Sequence, residues 1–307
     1  MLPNRRWRLA CITLTTLLCQ SKSAQRRPDR TRGAVLFLHG WGGFNGHMEG
    51  ALAHASGGKF RQSLEQMHVE LIIPNAPNRT LPPPWGPNAP AWFDLTWPLT
   101  AYTPEATASA KQTFDEVLAP MLANLDERVG LENVVIGGFS MGGEMALQML
   151  NYAPPNIAGI FSMSAYLQYD SQVWQALKSG IPRPPVWMAH GTADHAVRYR
   201  DAFSTYRRLF SEGVNVQFHP VSGMQHSING EELAALVPWI LQQIQREKGA
   251  PAEPAVLSAP PSNIATSGHD KSYVAPMPPT GRLPRRGRSS VLALSKQRRP
   301  EDFSFQR

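Results

Sequence analysis

The sequence predicts an α/β fold in which a mostly parallel sheet carries helices on both faces. Short apolar runs recur along the middle of the chain, and longer helix-like stretches separate them. Strands that are buried on both faces read as continuous apolar runs, and their alternation with helices is typical of parallel sheets. Hydrophobic residues make up 42% of the 307 positions and charged residues 17%, which is enough apolar material for a substantial core.

Six apolar runs are predicted to be strands. They lie at residues 34–38, 69–73, 133–137, 157–162, 185–189 and 214–218. Helices are predicted near residues 104–129, 141–153, 171–178, 197–212 and 230–247. In open sheets of this kind the reactive residues gather beyond the carboxyl ends of the strands. Candidates are therefore expected in the loop that follows each run.

The charge divides the chain into three predicted regions. A basic leader at residues 1–32 carries a net +7, the body at 33–247 carries −6, and the remaining residues carry +6, which gives +7 in total. We place the folded domain at 33–248 and a disordered tail, rich in proline and arginine, at 249–307. An acidic body argues against nucleic-acid binding through the body. The basic ends could make weak contact with an anionic membrane or RNA, although a solvated tail is the simpler interpretation.

The leader has the layout of a secretory signal peptide. Arg5, Arg6 and Arg8 precede an apolar run at 9–18, and small polar residues follow at 20–24. Few acids and frequent arginine also suit an organelle transit peptide, and an uncleaved leader on a cytoplasmic protein is a third alternative. The only two cysteines lie in this leader, so the body is expected to hold no disulfide, cysteine nucleophile or cysteine-based zinc site.

A Gly-x-Ser-x-Gly motif at residues 138–142 follows the third predicted strand and opens a predicted helix. A tight strand-to-helix turn of this kind holds the serine hydroxyl exposed at a helix N-terminus, and it is typical of the α/β-hydrolase fold. A phosphate-binding loop would require Gly-Lys-Ser/Thr, which is absent. A glycine-rich turn with a bystander serine is the remaining alternative. We therefore predict that Ser140 is a nucleophile.

In that fold the acid and then the histidine follow the nucleophile, each on a loop after a later strand. His226 follows the last strand and is the predicted general base, because His190 and His195 come too early in the chain. Asp194 follows the fifth strand and is predicted to orient the base, as the carboxylate of a triad does. Asp170 is the rival for this role, and helix capping is the structural alternative for Asp194.

The loop after the first strand is predicted to complete an oxyanion hole. Residues 39–43 read His-Gly-Trp-Gly-Gly, and the glycines permit close backbone approach. The main-chain amides of Trp41 and Met141 are the predicted donors. His39 is interpreted as a structural loop residue rather than a second base.

These blocks together resemble the phospholipase/carboxylesterase family of acyl-protein thioesterases and lysophospholipases, over roughly residues 33–245. The blocks that carry the resemblance are His39-Gly-Trp-Gly, Pro74-Asn-Ala-Pro77, Ala91-Trp-Phe-Asp94, Gly137-Gly-Phe-Ser-Met-Gly-Gly143, His190-Gly-Thr-Ala-Asp194 and Gly223-Met-Gln-His226. The methionine after Ser140 and the Gly-Thr-Ala-Asp run look most like the lysophospholipase-like branch. The family usually has aspartate where Gly43 stands, and the segment at 82–87 is unusually rich in proline.

The resemblance implies hydrolysis of carboxylic esters or thioesters, with acylated proteins, lysolipids or small acyl esters as substrates and with no cofactor or metal. Aromatic residues near the expected site could line an acyl groove, and those predicted to bind substrate are Trp85, Trp92, Phe93 and Trp97. Core packing is the alternative for Trp92 and Phe93. The alternative for the whole chain is a catalytically inactive binding protein of the same fold. The oligomeric state is not predicted.

Overall fold

The computed structural model describes residues 31–80, 88–95 and 103–245. The strands are β1 (Gly33–Leu38), β2 (Val69–Ile72), β3 (Asn78–Arg79), β4 (Ala89–Pro90), β5 (Val134–Phe139), β6 (Gly159–Met163), β7 (Val186–Gly191) and β8 (Val216–Val221). The helices are α1 (Asn45–Ser56), α2 (Lys59–Gln66), α3 (Pro104–Thr113), α4 (Ala119–Val129), α5 (Met141–Tyr152), α6 (Val173–Leu177), α7 (Tyr199–Ser211) and α8 (Gly230–Gln245). A π-helical turn (Phe114–Leu118) joins α3 to α4, and a 3₁₀ turn (Leu131–Asn133) precedes β5.

Six strands form one sheet in the order β2-β1-β5-β6-β7-β8, and every neighbouring pair is parallel. The predicted α/β-hydrolase architecture is confirmed, and each predicted strand is present with its ends shifted by a few residues. The two-residue strands β3 and β4 form a separate antiparallel pair that the sequence did not predict. Residues 1–30 of the predicted leader and the whole predicted tail lie outside the described residues.

Helices α1 and α2 were missed between the first two strands. In α1 only Met48 and Leu52 are buried, and glycine and alanine fill much of the rest. In α2 the buried residues are Phe60 and Leu64. Both pairs are spaced four residues apart, as one face of a helix requires, but two apolar residues give a weak periodic signal. Within the described ranges no helix is both long enough and apolar enough to span a bilayer.

The sheet separates two apolar cores, and the side chains of β1 alternate between them. Leu36 faces the core formed with α3, α4, α5, α6 and α7. Phe37 faces the core formed with α1, α2 and α8. Both side chains are fully buried. A layer of helices on each face explains why the central strands are apolar at nearly every position.

The strand register brings three loops and one turn to the same edge of the sheet. Leu38 pairs with Gly138, so the loop after β1 starts beside the turn after β5. Gly191 pairs with Val221, so the loops after β7 and β8 also run side by side. A Cβ on Gly191 would overlap the main-chain carbonyl of Met224. Close packing at this point needs glycine, and it holds the loops that carry Asp194 and His226 together.

Candidate active site

Ser140 occupies a strained backbone conformation at the turn between β5 and α5. Its φ is 55° and its ψ is −123°, in a region that residues with a side chain rarely adopt. The Ser140 amide donates to the carbonyl oxygen of Met163 on β6 at 2.9 Å, which fixes the turn against the neighbouring strand. Cβ atoms on Gly138 or Gly142 would overlap the Leu38 carbonyl oxygen. The motif glycines are therefore required by close packing, and the predicted strand–turn–helix context is present.

The side chain of His226 bridges the other two residues predicted to form the triad. Its Nε2 lies 2.9 Å from Oγ of Ser140, and its Nδ1 lies 2.8 Å from Oδ2 of Asp194. A carboxylate only accepts hydrogen bonds, so Nδ1 carries the proton and Nε2 is left free to accept the serine hydroxyl proton. The His226 side chain is 25% exposed, whereas that of Asp194 is fully buried. Phe139 packs against the His226 ring at a centroid distance of 4.9 Å.

Asp194 is held by main-chain as well as side-chain donors. Its Oδ1 accepts hydrogen bonds from the amides of Ala196 at 2.9 Å and Val197 at 2.8 Å. Burial opposes ionisation, but hydrogen bonds from His190, His226 and the Val197 amide outweigh it and hold the pKa of Asp194 well below its usual range. Helix α7 has its N-cap at Arg198 and no side-chain cap, so Asp194 binds loop amides and the helix-capping alternative is wrong. Both ring nitrogens of His226 are engaged by Ser140 and Asp194, so neither is left for Asp170 to orient.

The loop after β1 adjoins the serine, as an oxyanion hole requires. A Cβ built on Gly40 would lie 3.5 Å from Cβ of Ser140. The amide of Gly42 donates to Pro90 and that of Gly43 to Gly40. Neither the Trp41 amide nor the Met141 amide has an acceptor among the described residues. Both predicted donors are therefore unoccupied in the described part of the chain, and the Gly43–Gly40 hydrogen bond closes a tight turn in the loop.

Buried hydrogen bonds of His39 hold the same loop in place. Nε2 of His39 accepts the Ala76 amide at 3.1 Å, and its Nδ1 donates to the Gly40 carbonyl at 2.8 Å. Burial lowers the pKa of His39, which favours the neutral ring that these two contacts require. The Trp92 indole donates to the His39 carbonyl at 2.7 Å. His39 therefore supports the loop, and it does not face Ser140 as a base would.

The substrate-binding prediction needs correction for two aromatic residues. Trp92 is 0% exposed and Phe93 is 1% exposed, and both belong to the core packed against α3. Neither side chain has the exposed surface that lining a groove would require. Trp41, in the loop that adjoins Ser140, is 39% exposed. Trp85 and Trp97 lie outside the described residues.

A second histidine beside Asp194 was missed. Nε2 of His190 lies 3.3 Å from Oδ2 of Asp194, and its side chain is fully buried. His190 was weighed only as a general base, yet its position four residues before Asp194 was a usable signal. No group of three or more histidine, cysteine or acidic side chains that could hold a metal ion occurs in the described part of the chain.

Comparisons with known proteins show which family and fold this chain resembles. A family model described as phospholipase/carboxylesterase matches residues 21–244. Lysophospholipase-like protein 1 of Mus musculus is 31% identical over 229 residues, covering 73% of this chain and 92% of that protein. Acyl-protein thioesterase 1 of Neurospora crassa is 31% identical over 243 residues, covering 73% and 95%. The crystal structure of Arabidopsis thaliana SOBER1 matches 70% of this chain and 100% of its own, with 23% identity and a TM-score of 0.58, which supports the fold.

Proposed function

The chain belongs to the phospholipase/carboxylesterase family, and on that premise we propose that it is a serine hydrolase that cleaves carboxylic esters or thioesters through an acyl-enzyme on Ser140. The observation that carries the proposal is the unbroken chain of hydrogen bonds from Asp194 through His226 to a serine held at a φ of 55°. A serine that only packed in the core would need neither the strained backbone nor a contact with an imidazole whose free nitrogen faces its hydroxyl.

The geometry supports acyl transfer in two steps. Oγ of Ser140 attacks the substrate carbonyl while Nε2 of His226 takes its proton, and Asp194 stabilises the imidazolium that forms. The amides of Trp41 and Met141 donate to the oxyanion of the tetrahedral intermediate. His226 then gives the proton to the departing alkoxide or thiolate. A water molecule then attacks the acyl-enzyme by the same steps. This releases the carboxylic acid and restores Ser140.

The finer proposal concerns the acyl group and what it is attached to. Relatives named acyl-protein thioesterase and lysophospholipase-like protein suggest S-acylated proteins or lysolipids as substrates. The partly exposed indole of Trp41 would contact the acyl chain next to the reacting carbonyl. An apolar contact there favours acyl chains over charged substituents, because it removes apolar surface from water on binding.

The test compares Ser140→Ala with Ser164→Ala on the full chain. Ser164 is a matched control because it follows the neighbouring strand β6, has a φ of 49°, and its hydroxyl has no partner among the described residues. We expect Ser140→Ala to lose labelling by a fluorophosphonate and at least about 10⁴-fold in turnover. Ser164→Ala should retain both. A nitrophenyl butyrate, an S-palmitoyl peptide and lysophosphatidylcholine form the substrate panel. A wild-type protein that neither turns over these esters nor reacts with the probe would instead be an inactive binding protein.

A further inference from the structure

His190 lies at the carboxyl end of β7, within reach of two acceptors in the Asp194 loop. Its Nε2 is 2.8 Å from the carbonyl oxygen of Val197 and 3.3 Å from Oδ2 of Asp194. The ring is fully buried and packs edge-on against Tyr199 at a centroid distance of 6.2 Å. A polar ring that is withdrawn from water at this position has to be accounted for by the contacts it makes.

The two acceptors determine where the proton of His190 resides. A carbonyl oxygen only accepts, so a 2.8 Å contact with Val197 requires the hydrogen on Nε2. The same N–H can be shared with Oδ2 of Asp194 at the longer distance. Nδ1 is buried and has no hydrogen-bond partner in the described part of the chain. A charged ring would place a second N–H at that site without an acceptor, which is costlier than leaving a lone pair there. The neutral ring with the hydrogen on Nε2 therefore fits best.

Four donors then surround the carboxylate of Asp194. The amides of Ala196 and Val197 donate to Oδ1 and His226 donates to Oδ2, while Nε2 of His190 lies 3.3 Å from Oδ2, close enough for a longer, shared contact. The amides belong to the same loop as the carboxylate and move with it. His190 differs because it belongs to β7, where it pairs with Pro220 of β8. It ties the oxygen that orients His226 to the sheet itself.

We propose that His190 is a positioning residue for the hydrolytic reaction: its Nε2–H holds Oδ2 of Asp194 and the carbonyl of Val197, and so keeps the carboxylate aimed at His226. It acts on Ser140 only through Asp194 and His226, and it touches neither substrate nor the reacting atoms. The inference rests on the proposed function. The low pKa of Asp194, to which the His190 hydrogen bond contributes, agrees with a carboxylate held in its charged form.

Two replacements at this position separate the hydrogen bond from the bulk of the ring. His190→Phe keeps the ring volume and removes the N–H, whereas His190→Gln can place an amide N–H close to the position of Nε2. His195→Phe is the matched control, because His195 is exposed and follows Asp194 directly. Rates for all full-chain variants are divided by the concentration of sites titrated with a fluorophosphonate, so that partly unfolded protein does not count.

We expect His190→Phe to lower kcat about tenfold with little change in KM, and His190→Gln to restore most of it. The acid limb of the kcat/KM profile should move to higher pH in His190→Phe. Losing a donor leaves the charged form of Asp194 less stabilised, which raises the pKa of Asp194 and moves the limb in that direction. His195→Phe should match the wild type. A residue that only filled space would change thermal stability but would leave the profile and the rate per titrated site unchanged.

The inference is overturned if His190→Phe has the wild-type rate per site, or if His190→Gln is as slow as His190→Phe. If His190→Phe does not fold, ¹⁵N NMR of the wild-type chain decides instead. It should show the neutral ring of His190 with its hydrogen on Nε2 at about pH 8, and a hydrogen on Nδ1 would refute the assignment. A wild-type protein without hydrolytic activity or labelling would mean that the proposed function has failed, which is a separate result.

Discussion

The indole Nε1 of Trp92 donates to the main-chain oxygen of His39 across 2.7 Å, so a core side chain supports the loop that faces Ser140. The main-chain amide of Trp92 also contacts the sulfur of Met141 at 3.4 Å, on the other side of the site. Trp92 thus touches both segments whose amides are proposed to bind the oxyanion. Its importance lies in placing these donors rather than in contacting substrate.

Trp92→Phe should therefore impair catalysis more than binding. It leaves the buried His39 carbonyl without its donor, and we expect about 1–3 kcal/mol lower stability. A displaced oxyanion donor weakens the transition state, so kcat should fall about tenfold or more while KM stays nearly constant. Steady-state kinetics and urea denaturation measure the two effects.

Trp174→Phe provides the comparison, because the Trp174 indole makes the same kind of bond to the Gln168 carbonyl at 2.7 Å. That bond lies beside α6. We expect a similar loss of stability with an unchanged kcat. Equal kcat in the two variants would contradict the supporting role of Trp92.

The fold was predictable where each element carried a strong local signal. The four central strands β1, β5, β6 and β7 are nearly continuous apolar runs, as burial on both faces predicts. The helices α1 and α2 were not predictable, because each buries just two apolar residues on a short segment. Their burial against α8 is a tertiary effect that a local pattern does not contain.

The site was predictable in its chain order but not in its side-chain directions. Ser140, Asp194 and His226 follow strands whose ends must meet, so their convergence could be expected. Trp92 and Phe93 were placed near the site by the same argument, yet both side chains point into the core. A position after a strand does not determine which way a loop residue faces. His190 was overlooked because the histidines were assessed only as general bases. A histidine can also act by holding the carboxylate that orients the base.

Gly142→Ala tests whether close packing defines the turn that carries Ser140. A Cβ there would overlap the carbonyl oxygens of Leu38 and His39, and main-chain atoms cannot move aside as a flexible side chain can. We expect a stability loss of about 1–3 kcal/mol or more and no fluorophosphonate labelling. Chemical denaturation and the labelling assay measure these.

Gly50→Ala is its control, because a Cβ on Gly50 in α1 meets nothing within 4 Å. Alanine is a better helix former than glycine, so stability should rise by about 0.5–1 kcal/mol with unchanged activity. An active, stable Gly142→Ala protein would show that the turn tolerates a side chain and that the packing argument is wrong.

Asp194→Asn should reduce kcat about 10⁴-fold, because an amide in place of the carboxylate no longer enforces the hydrogen on Nδ1 of His226. Asp170→Asn changes the rival carboxylate in the same way and should leave kcat close to the wild-type value. Steady-state kinetics with a nitrophenyl ester compare the two. The reverse ranking would assign the orienting role to Asp170.

Stability should depend on pH through Glu144, which lies one turn after Ser140 on α5 and is buried. Burial raises the pKa of Glu144 to about 8, against a partial opposing effect from a hydrogen bond with Gln168. The folded state therefore keeps a proton that the unfolded chain releases above about pH 4.5. Below that pH, Glu144 therefore causes no change of stability with pH. Between about pH 4.5 and 8 the free energy of unfolding falls by up to about 1.4 kcal/mol per pH unit.

Glu144→Gln carries a neutral amide at every pH, so it should remove this dependence. The difference in unfolding free energy between wild type and Glu144→Gln should shift steadily in favour of the variant from about pH 5 to pH 8. Urea denaturation at several pH values measures it. Glu127→Gln, at an exposed position of α4, should show a constant difference over the same range. A constant difference for Glu144→Gln as well would mean that the buried carboxyl is already ionised in the folded protein. Its neighbours would then stabilise the carboxylate more than the Gln168 hydrogen bond alone does.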